Sequence, residues 1–149
     1  MKTLLITGGA GFIGGNFVLG LMAQGGYRIV NLDKLTYAGN LDTLASLRDD
    51  INHIFVRGDI GDRALVERLL EEHRPTAIVN FAAESHVDRS IDGPAAFVQT
   101  NVVGTLALLE SALAYWRAAP LASGRRSSSR RQIVRTTCRF SRSASPPTL

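Results

Sequence analysis

Residues 7–14 read Thr-Gly-Gly-Ala-Gly-Phe-Ile-Gly, which places glycines at 8, 11 and 14 directly behind a compact apolar run, Leu4-Leu5-Ile6. That spacing suits the binding of a pyrophosphate. Gly8 permits a tight strand-to-helix turn, Gly11 lets the phosphates approach the backbone, and Gly14 lets the helix pack closely on the sheet. Free N–H groups at the helix N-terminus, reinforced by the helix dipole, then favour the anion. Asp33 follows Gly14 by 19 residues and closes a second apolar run. A carboxylate there accepts from both ribose hydroxyls of an adenosine and repels a 2′-phosphate, which points to NAD over NADP. Lys34 beside it pulls the other way. Asp59 closes a third run, either near the adenine or as a cap on the next helix.

A fourth apolar run leads into Phe81-Ala82-Ala83-Glu84-Ser85-His86-Val87-Asp88-Arg89-Ser90. Ala82 and Ala83 are small at the carboxyl end of a strand, where open α/β sheets bind their ligands. Taken singly, the polar residues have bland readings. His86 suits a loop, Glu84 a solvated site, and Asp88-Arg89 a surface pair worth little. Together they suit a polar ligand at a topological switch point better than a plain surface turn.

These groups need elements to hold them. Leu4-Leu5-Ile6 reads as a buried strand, and Phe12, Ile13, Phe17, Val18, Leu21 and Met22 recur at helical spacing up to Gly25-Gly26. Residues 28–32 form a second strand, 34–40 a loop, and Leu41, Leu44, Ala45 and Leu47 a short helix. Ile54-Phe55-Val56 is a third strand. The helix after it turns Leu65, Val66, Leu69 and Leu70 to one face and Glu67, Arg68, Glu71 and Glu72 to the other. Residues 77–81 are a fourth strand. Asp92-Gly93-Pro94 opens the longest helix, roughly 95–117, with Phe97, Val98, Val102, Leu106, Leu109 and Leu113 expected inward. Alternation of strand and helix implies right-handed crossovers and a parallel sheet in the order 3-2-1-4. This is the N-terminal half of a doubly wound, Rossmann-type α/β sheet.

The 149 residues carry a formal net charge of +4 and a pI near 9.8. The basic excess is confined to one end. Residues 1–117 carry a net −3, whereas 118–149 carry seven arginines and no acid. Residues 1–117 therefore read as a dinucleotide-binding half-domain and 118–149 as an Arg/Ser-rich tail. With Ile133-Val134 its only adjacent branched apolar pair, the tail is expected to be disordered. The single Cys138 excludes an internal disulfide and suits a reducing compartment. No run approaches 18 consecutive apolar residues, and Gly8, Gly9 and Gly11 cut short any signal-like start. A cytoplasmic protein without a membrane partner is expected.

Residues 7–14, the block Asp33-Lys34-Leu35-Thr36-Tyr37-Ala38-Gly39-Asn40 and the block 82–91 resemble the nucleotide-sugar 4,6-dehydratases of the extended short-chain dehydrogenase/reductase family, and most of all their dTDP-sugar branch. Gly93-Pro94-Ala95-Ala96-Phe97 and residues 100–105 continue the resemblance, which covers residues 1 to about 117. It implies a tightly held NAD that takes hydride from the sugar C4, assists loss of water across C5–C6 and returns hydride to C6. It implies a dTDP-sugar substrate and a homodimer. By position, Phe12 and Ile13 lie at the pyrophosphate, and Asp33, Lys34, Leu35 and Thr36 hold the adenosine ribose. Asp59 and Ile60 flank the adenine. Phe81, Ala82, Ala83, Glu84 and Ser85 line the nicotinamide side, with Ser85 also facing the sugar, and Thr100 supports the cofactor.

The departure from that family is equally definite. Its acid/base groups are a Tyr-x-x-x-Lys pair and a Thr-Asp-Glu. Here Tyr27, Tyr37 and Tyr115 are followed four residues later by Asn31, Leu41 and Ala119, lysines occur only at 2 and 34, and Thr-Asp-Glu is absent. No catalytic residue can be named. The resemblance stops where the composition flips, as expected of a frameshifted read of a GC-rich gene from about residue 118. A bare apolar edge on the fourth strand is then expected to promote self-association. Two other readings compete: a nucleic-acid or partner-binding protein that uses the arginine tail, which has one aromatic residue, Phe140, for base stacking, and a 4-epimerase-like fragment, which lacks the same tyrosine and lysine.

Overall fold

The computed structural model describes residues 1–85, 94–118 and 132–135. Five strands, β1 (Lys2–Thr7), β2 (Tyr27–Asp33), β3 (His53–Arg57), β4 (Ala77–Asn80) and β5 (Gln132–Arg135), form one sheet in the order β3-β2-β1-β4-β5. Every pairing is parallel: Leu5 lies opposite Val30 and Ile78, and Val30 opposite Ile54. The order expected for the first four strands is the order found.

The central strands β1, β2 and β4 are covered on both faces, so both of their side-chain sets are mostly apolar. Leu5, Val30, Leu32 and Ile78 point to one face and meet Val66, Leu69 and Leu70 of α2 (Arg63–His73) together with Leu108 and Ala112. Leu4, Ile6, Ile29 and Val79 point to the other and meet Val18 of α1 (Phe12–Gln24) with Leu44 and Leu47 of a 3₁₀ helix (Leu41–Leu47). Each fully buried aliphatic side chain here contributes about 1.5–3 kcal/mol. Asp62 caps α2, its Oδ1 accepting from the Leu65 N–H at 3.0 Å. The cap on this helix is therefore Asp62 and not Asp59.

The long helix α3 (Pro94–Ala118) departs from expectation in its orientation. It contains a π-helical turn, Gln99–Gly104, between α-helical stretches. The face turned to the domain consists mostly of small residues, Gly104, Thr105, Ala107, Ser111 and Ala112, with Leu108. Val98, Val102, Leu106, Leu109 and Leu113, expected inward, are 40–59% exposed. Both faces of α3 are apolar, so periodicity alone could not choose between them. Close approach to α2 selects the face with small side chains. By length and composition α3 meets the requirement for a membrane span (25 residues, with an 18-residue stretch of mean hydropathy 1.3). Its packing on the sheet and its ion pair from Glu110 to Arg63 of α2 make it part of the domain.

The far edge of β4 carries β5, in register Ala77↔Gln132 and Ile78↔Ile133. The bare edge expected from the sequence is thus not found; the one branched apolar pair of the tail sits in the strand that covers it. The rest of the tail, 119–131 and 136–149, lies outside the described residues, as do Asp92-Gly93 and residues 86–91 of the polar cluster.

Candidate functional site

The site opens at the carboxyl ends of β1, β2 and β4, where crossovers leave toward opposite faces of the sheet. Gly8 takes φ +70°, and its N–H donates to the Leu32 carbonyl at 2.9 Å. A β-carbon on Gly8 would lie 2.5 Å from Ala82 N and 2.6 Å from the Phe81 carbonyl carbon. One on Gly14 would run into the Gly8 carbonyl oxygen. The glycines at both positions are therefore demanded by backbone-to-backbone approach. Helix α1 starts at Gly11 without a side-chain cap or an acid in its first turn. The N–H groups of its first turn thus have no side-chain cap, and with the helix dipole they suit an anion at that end.

Asp33 is buried, and both its carboxylate oxygens are fixed: Oδ2 accepts from Ala10 N–H and Oδ1 from Leu35 N–H, each at 2.8 Å. Leu35 reaches this position through a left-handed backbone, φ 55°. Each oxygen keeps a further lone pair for a hydroxyl. Lys34 turns away from it to Asp59, Nζ to Oδ2 at 2.7 Å. Burial works to raise the Asp59 carboxyl, but the Lys34 ammonium and the Gly61 N–H outweigh it and hold the group below its ordinary 3.8. The pair is present above that value and is lost as pH falls through the folded-state pKa.

At the other end, Phe81 N–H donates to the Thr7 carbonyl at 2.9 Å, and its ring packs against Phe17 with centroids 5.2 Å apart. The Thr7 hydroxyl donates to Asn80 Oδ1 beneath. Glu84 is held twice. Tyr37 Oη donates to its Oε2 at 3.1 Å, and the Asn101 amide grips its backbone, donating to the carbonyl and accepting from the N–H, both at 2.9 Å. Asn101 lies in the π-helical turn of α3, a widened turn of the kind that recurs at functional sites. The sequence offered Asn101 only as one letter of a resembling block. Asn101→Leu strands both backbone groups of Glu84, and we expect a stability loss of about 1–3 kcal/mol in thermal unfolding.

The open cleft so formed has about 570 Å³ of free space, counting solvent at its mouth. Of the residues singled out from the sequence, Gly8, Gly11, Asp33, Lys34, Thr36, Asp59, Ile60, Phe81, Ala82, Ala83, Glu84 and Thr100 line it. Phe12, Ile13, Gly14, Leu35 and Ser85 do not. Phe12 is 85% exposed on α1 and Ser85 is exposed at the end of the described loop, while Gly14 and Leu35 act on the lining from behind. Leu32, Ala38, Gly39 and Gly58 also line the cleft. Gly58 was legible only as the residue before Asp59, and Ala38-Gly39 only as part of a resembling block.

A glycine turn at the end of β1, a carboxylate anchored on both oxygens at the end of β2 and a Lys34–Asp59 ion pair beside it share one cleft, and the fold that carries them is the Rossmann-type half-sheet. The sequence profile of the family described as GDP-mannose 4,6 dehydratase matches residues 5–131, and the chain belongs to that family. It is 71% identical over 120 residues to the dTDP-glucose 4,6-dehydratase of Xanthomonas campestris pv. campestris (strain B100), a match that covers 80% of this chain and 34% of that protein. The dTDP-glucose 4,6-dehydratase DesIV of Streptomyces venezuelae, solved with NAD bound, superposes with a TM-score of 0.73 at 48% identity, covering 77% of this chain and 37% of that one. The UDP-glucose 4-epimerase of Brucella ovis, in complex with NAD, gives a TM-score of 0.68 at 34% identity, covering 78% and 33%. The chain thus spans about a third of the length of these relatives.

Proposed function

We propose that this chain is the NAD-holding part of a dTDP-glucose 4,6-dehydratase. The observation that carries this reading is Asp33, a buried carboxylate at the end of β2 fastened to Ala10 and Leu35 beside the glycine turn. It leaves acceptors for the two ribose hydroxyls and no place for a 2′-phosphate. Gly8, Gly11, Phe12, Ile13 and Gly14 present backbone to the pyrophosphate. Lys34, Leu35 and Thr36 complete the ribose side, Asp59 and Ile60 the adenine side. Phe81 to Ser85 and Thr100 border the nicotinamide, with Ser85 toward a dTDP-sugar. NAD, when bound, supplies the hydride acceptor; the chain's own residues bind and orient it. These 149 residues hold neither Tyr-x-x-x-Lys nor Thr-Asp-Glu, so we assign them binding without turnover. Calorimetric titration of the purified chain is expected to show saturable NAD binding and much weaker NADP binding. Equal affinity for both would remove the role given to Asp33.

The outward stripe Val98, Val102, Leu106, Leu109 and Leu113 supports a second element of the reading, a homodimer. Large apolar side chains spaced three or four apart on one exposed helix face fit the same face of a second copy across a two-fold axis. Light scattering should report a dimer for the parent and a monomer for Leu106→Glu/Leu109→Glu. A monomeric parent would count against it. We place the protein in the cytoplasm and assign 118–149 to a frameshifted read. Translation of the underlying DNA in the other two frames should then give a strand followed by Thr-Asp-Glu.

A further inference from the structure

We infer that Asn31 is a positioning residue for the glycine turn: its buried amide, oriented by His53, supports Gly9 from beneath and fixes the turn where a dinucleotide's phosphates lie. This deepens the NAD reading and rests on it for its consequence, although the contact itself belongs to the protein alone.

Asn31 is 0% exposed on β2, on the α1 face of the sheet, between Ile29 and Asp33. A buried amide among aliphatic neighbours needs partners. One is His53 on the adjacent strand, with Asn31 Nδ2 3.4 Å from His53 Nε2. With Nε2 accepting from Asn31, the neutral ring carries its proton on Nδ1, and the Asn31 amide turns its NH₂ toward the ring. The Asn31 oxygen then points the other way and, among the described residues, meets no N–H or O–H donor. What it meets is Gly9. A β-carbon there would overlap Asn31 Oδ1 and lie 2.7 Å from Asn31 Cγ. Only a glycine hydrogen fits between them, as a Cα–H···O contact.

The arrangement completes a set. Leu32 holds Gly8 through its carbonyl, Asp33 holds Ala10 through its carboxylate, and Asn31 holds Gly9 through its amide. Three consecutive residues of β2 thus secure three consecutive residues of the turn. The third attachment is also the one that reacts to pH. Burial lowers His53 below its ordinary 6.5, against the Leu47 carbonyl and the charge of Asp50, which favour protonation. From β2 it is met by the neutral Asn31 amide. A depressed base contributes stability that is present above 6.5 and lost as pH falls through its folded-state pKa. Protonation sets Nε2–H against Asn31 N–H. The amide then turns over to offer its oxygen to His53 and withdraws it from Gly9.

The test is heteronuclear NMR on the full chain without cofactor. The Gly9 amide resonance should move with the same midpoint, below pH 6.5, as the His53 ring, and in His53→Phe it should stay flat over that range. Asn31→Ala should uncouple the two and raise exchange at Gly8, Gly9 and Gly11 while β1 to β4 stay protected. If that variant does not fold, the parent and His53→Phe decide the matter. A parent whose Gly9 ignores the His53 titration overturns the proposal, as does an Asn31→Ala chain in which Gly9 still follows it. With NAD added at pH 7.5, Asn31→Ala should bind about two- to fivefold more weakly, the loss of one Cα–H···O contact of about 0.5–1 kcal/mol; unchanged affinity also overturns it. If the parent binds no NAD, the cofactor reading falls, and the Gly9–His53 coupling is still judged on the free protein.

Discussion

Asp33→Ala is expected to weaken NAD binding about a hundredfold. Two things are lost together. The carboxylate no longer accepts from the ribose, and hydrogen bonds to a charged group are worth about 1.5–3 kcal/mol each. It also releases the Ala10 and Leu35 N–H groups, so the glycine turn and the loop after β2 lose their shared anchor. The two losses overlap because one group makes all the bonds, and about 3 kcal/mol in total corresponds to roughly two decades in Kd. Asp33→Asn separates the parts. The amide keeps the volume but brings an NH₂ against a backbone donor at one of the two positions, so one anchor breaks and the other stays. Its charge is gone, and the preference for NAD over NADP should narrow. Calorimetry with both cofactors on the parent and the two variants checks this, and an Asp33→Ala chain that bound NAD like the parent would refute the site.

Gly8→Ala should lower the melting temperature by about 10 °C. The left-handed backbone costs an L-residue about 1–2 kcal/mol. The new methyl would press on Phe81 and Ala82 at 2.5–2.6 Å. Those are backbone atoms of the segment that continues β4, tied back by the Phe81 N–H bond to Thr7, so they cannot swing aside as a flexible side chain would. Overpacking of this kind costs about 1–3 kcal/mol. Together that is a large share of the roughly 5–15 kcal/mol that holds a domain. Gly20→Ala is the internal control. Gly20 is exposed in the middle of α1, and a β-carbon there meets nothing within 4 Å. That substitution should raise stability by about 0.5–1 kcal/mol. If calorimetric scanning shows the two alanines behaving alike, the close approach at Gly8 is not the constraint described.

The glycine turn, the first two strands and Asp33 were legible because each reports a local rule: an apolar run, a turn residue, a helix start, a charged residue at a strand end. Asp33 could be placed by spacing alone, but that it is fastened on both oxygens could not, since Ala10 and Leu35 give only backbone. Asn101 escaped for the same reason in reverse. Its side chain works on a backbone 17 residues away, and nothing in its own neighbourhood marks it. The outward face of α3 was misjudged because hydrophobicity ranks side chains by how strongly they avoid water. What turned the helix was how closely Ala107, Ser111 and Ala112 let it approach its neighbour. The strand 132–135 has the apolar pair a strand needs, but its role depends on an edge contributed by residues 77–80, far back in the chain.

The parallel pairing of β5 with β4 has a consequence for how the chain is made. Ala77 leaves the ribosome 55 residues before its partner Gln132. At ordinary elongation rates that interval is roughly 3–10 s, during which β4 can pair with β1 while its other side waits. The first 118 residues must therefore pass through a stage in which the sheet is assembled but not finished. The yield of this chain in folded form then depends on how quickly a strand reaches that edge, as well as on the stability of the finished fold.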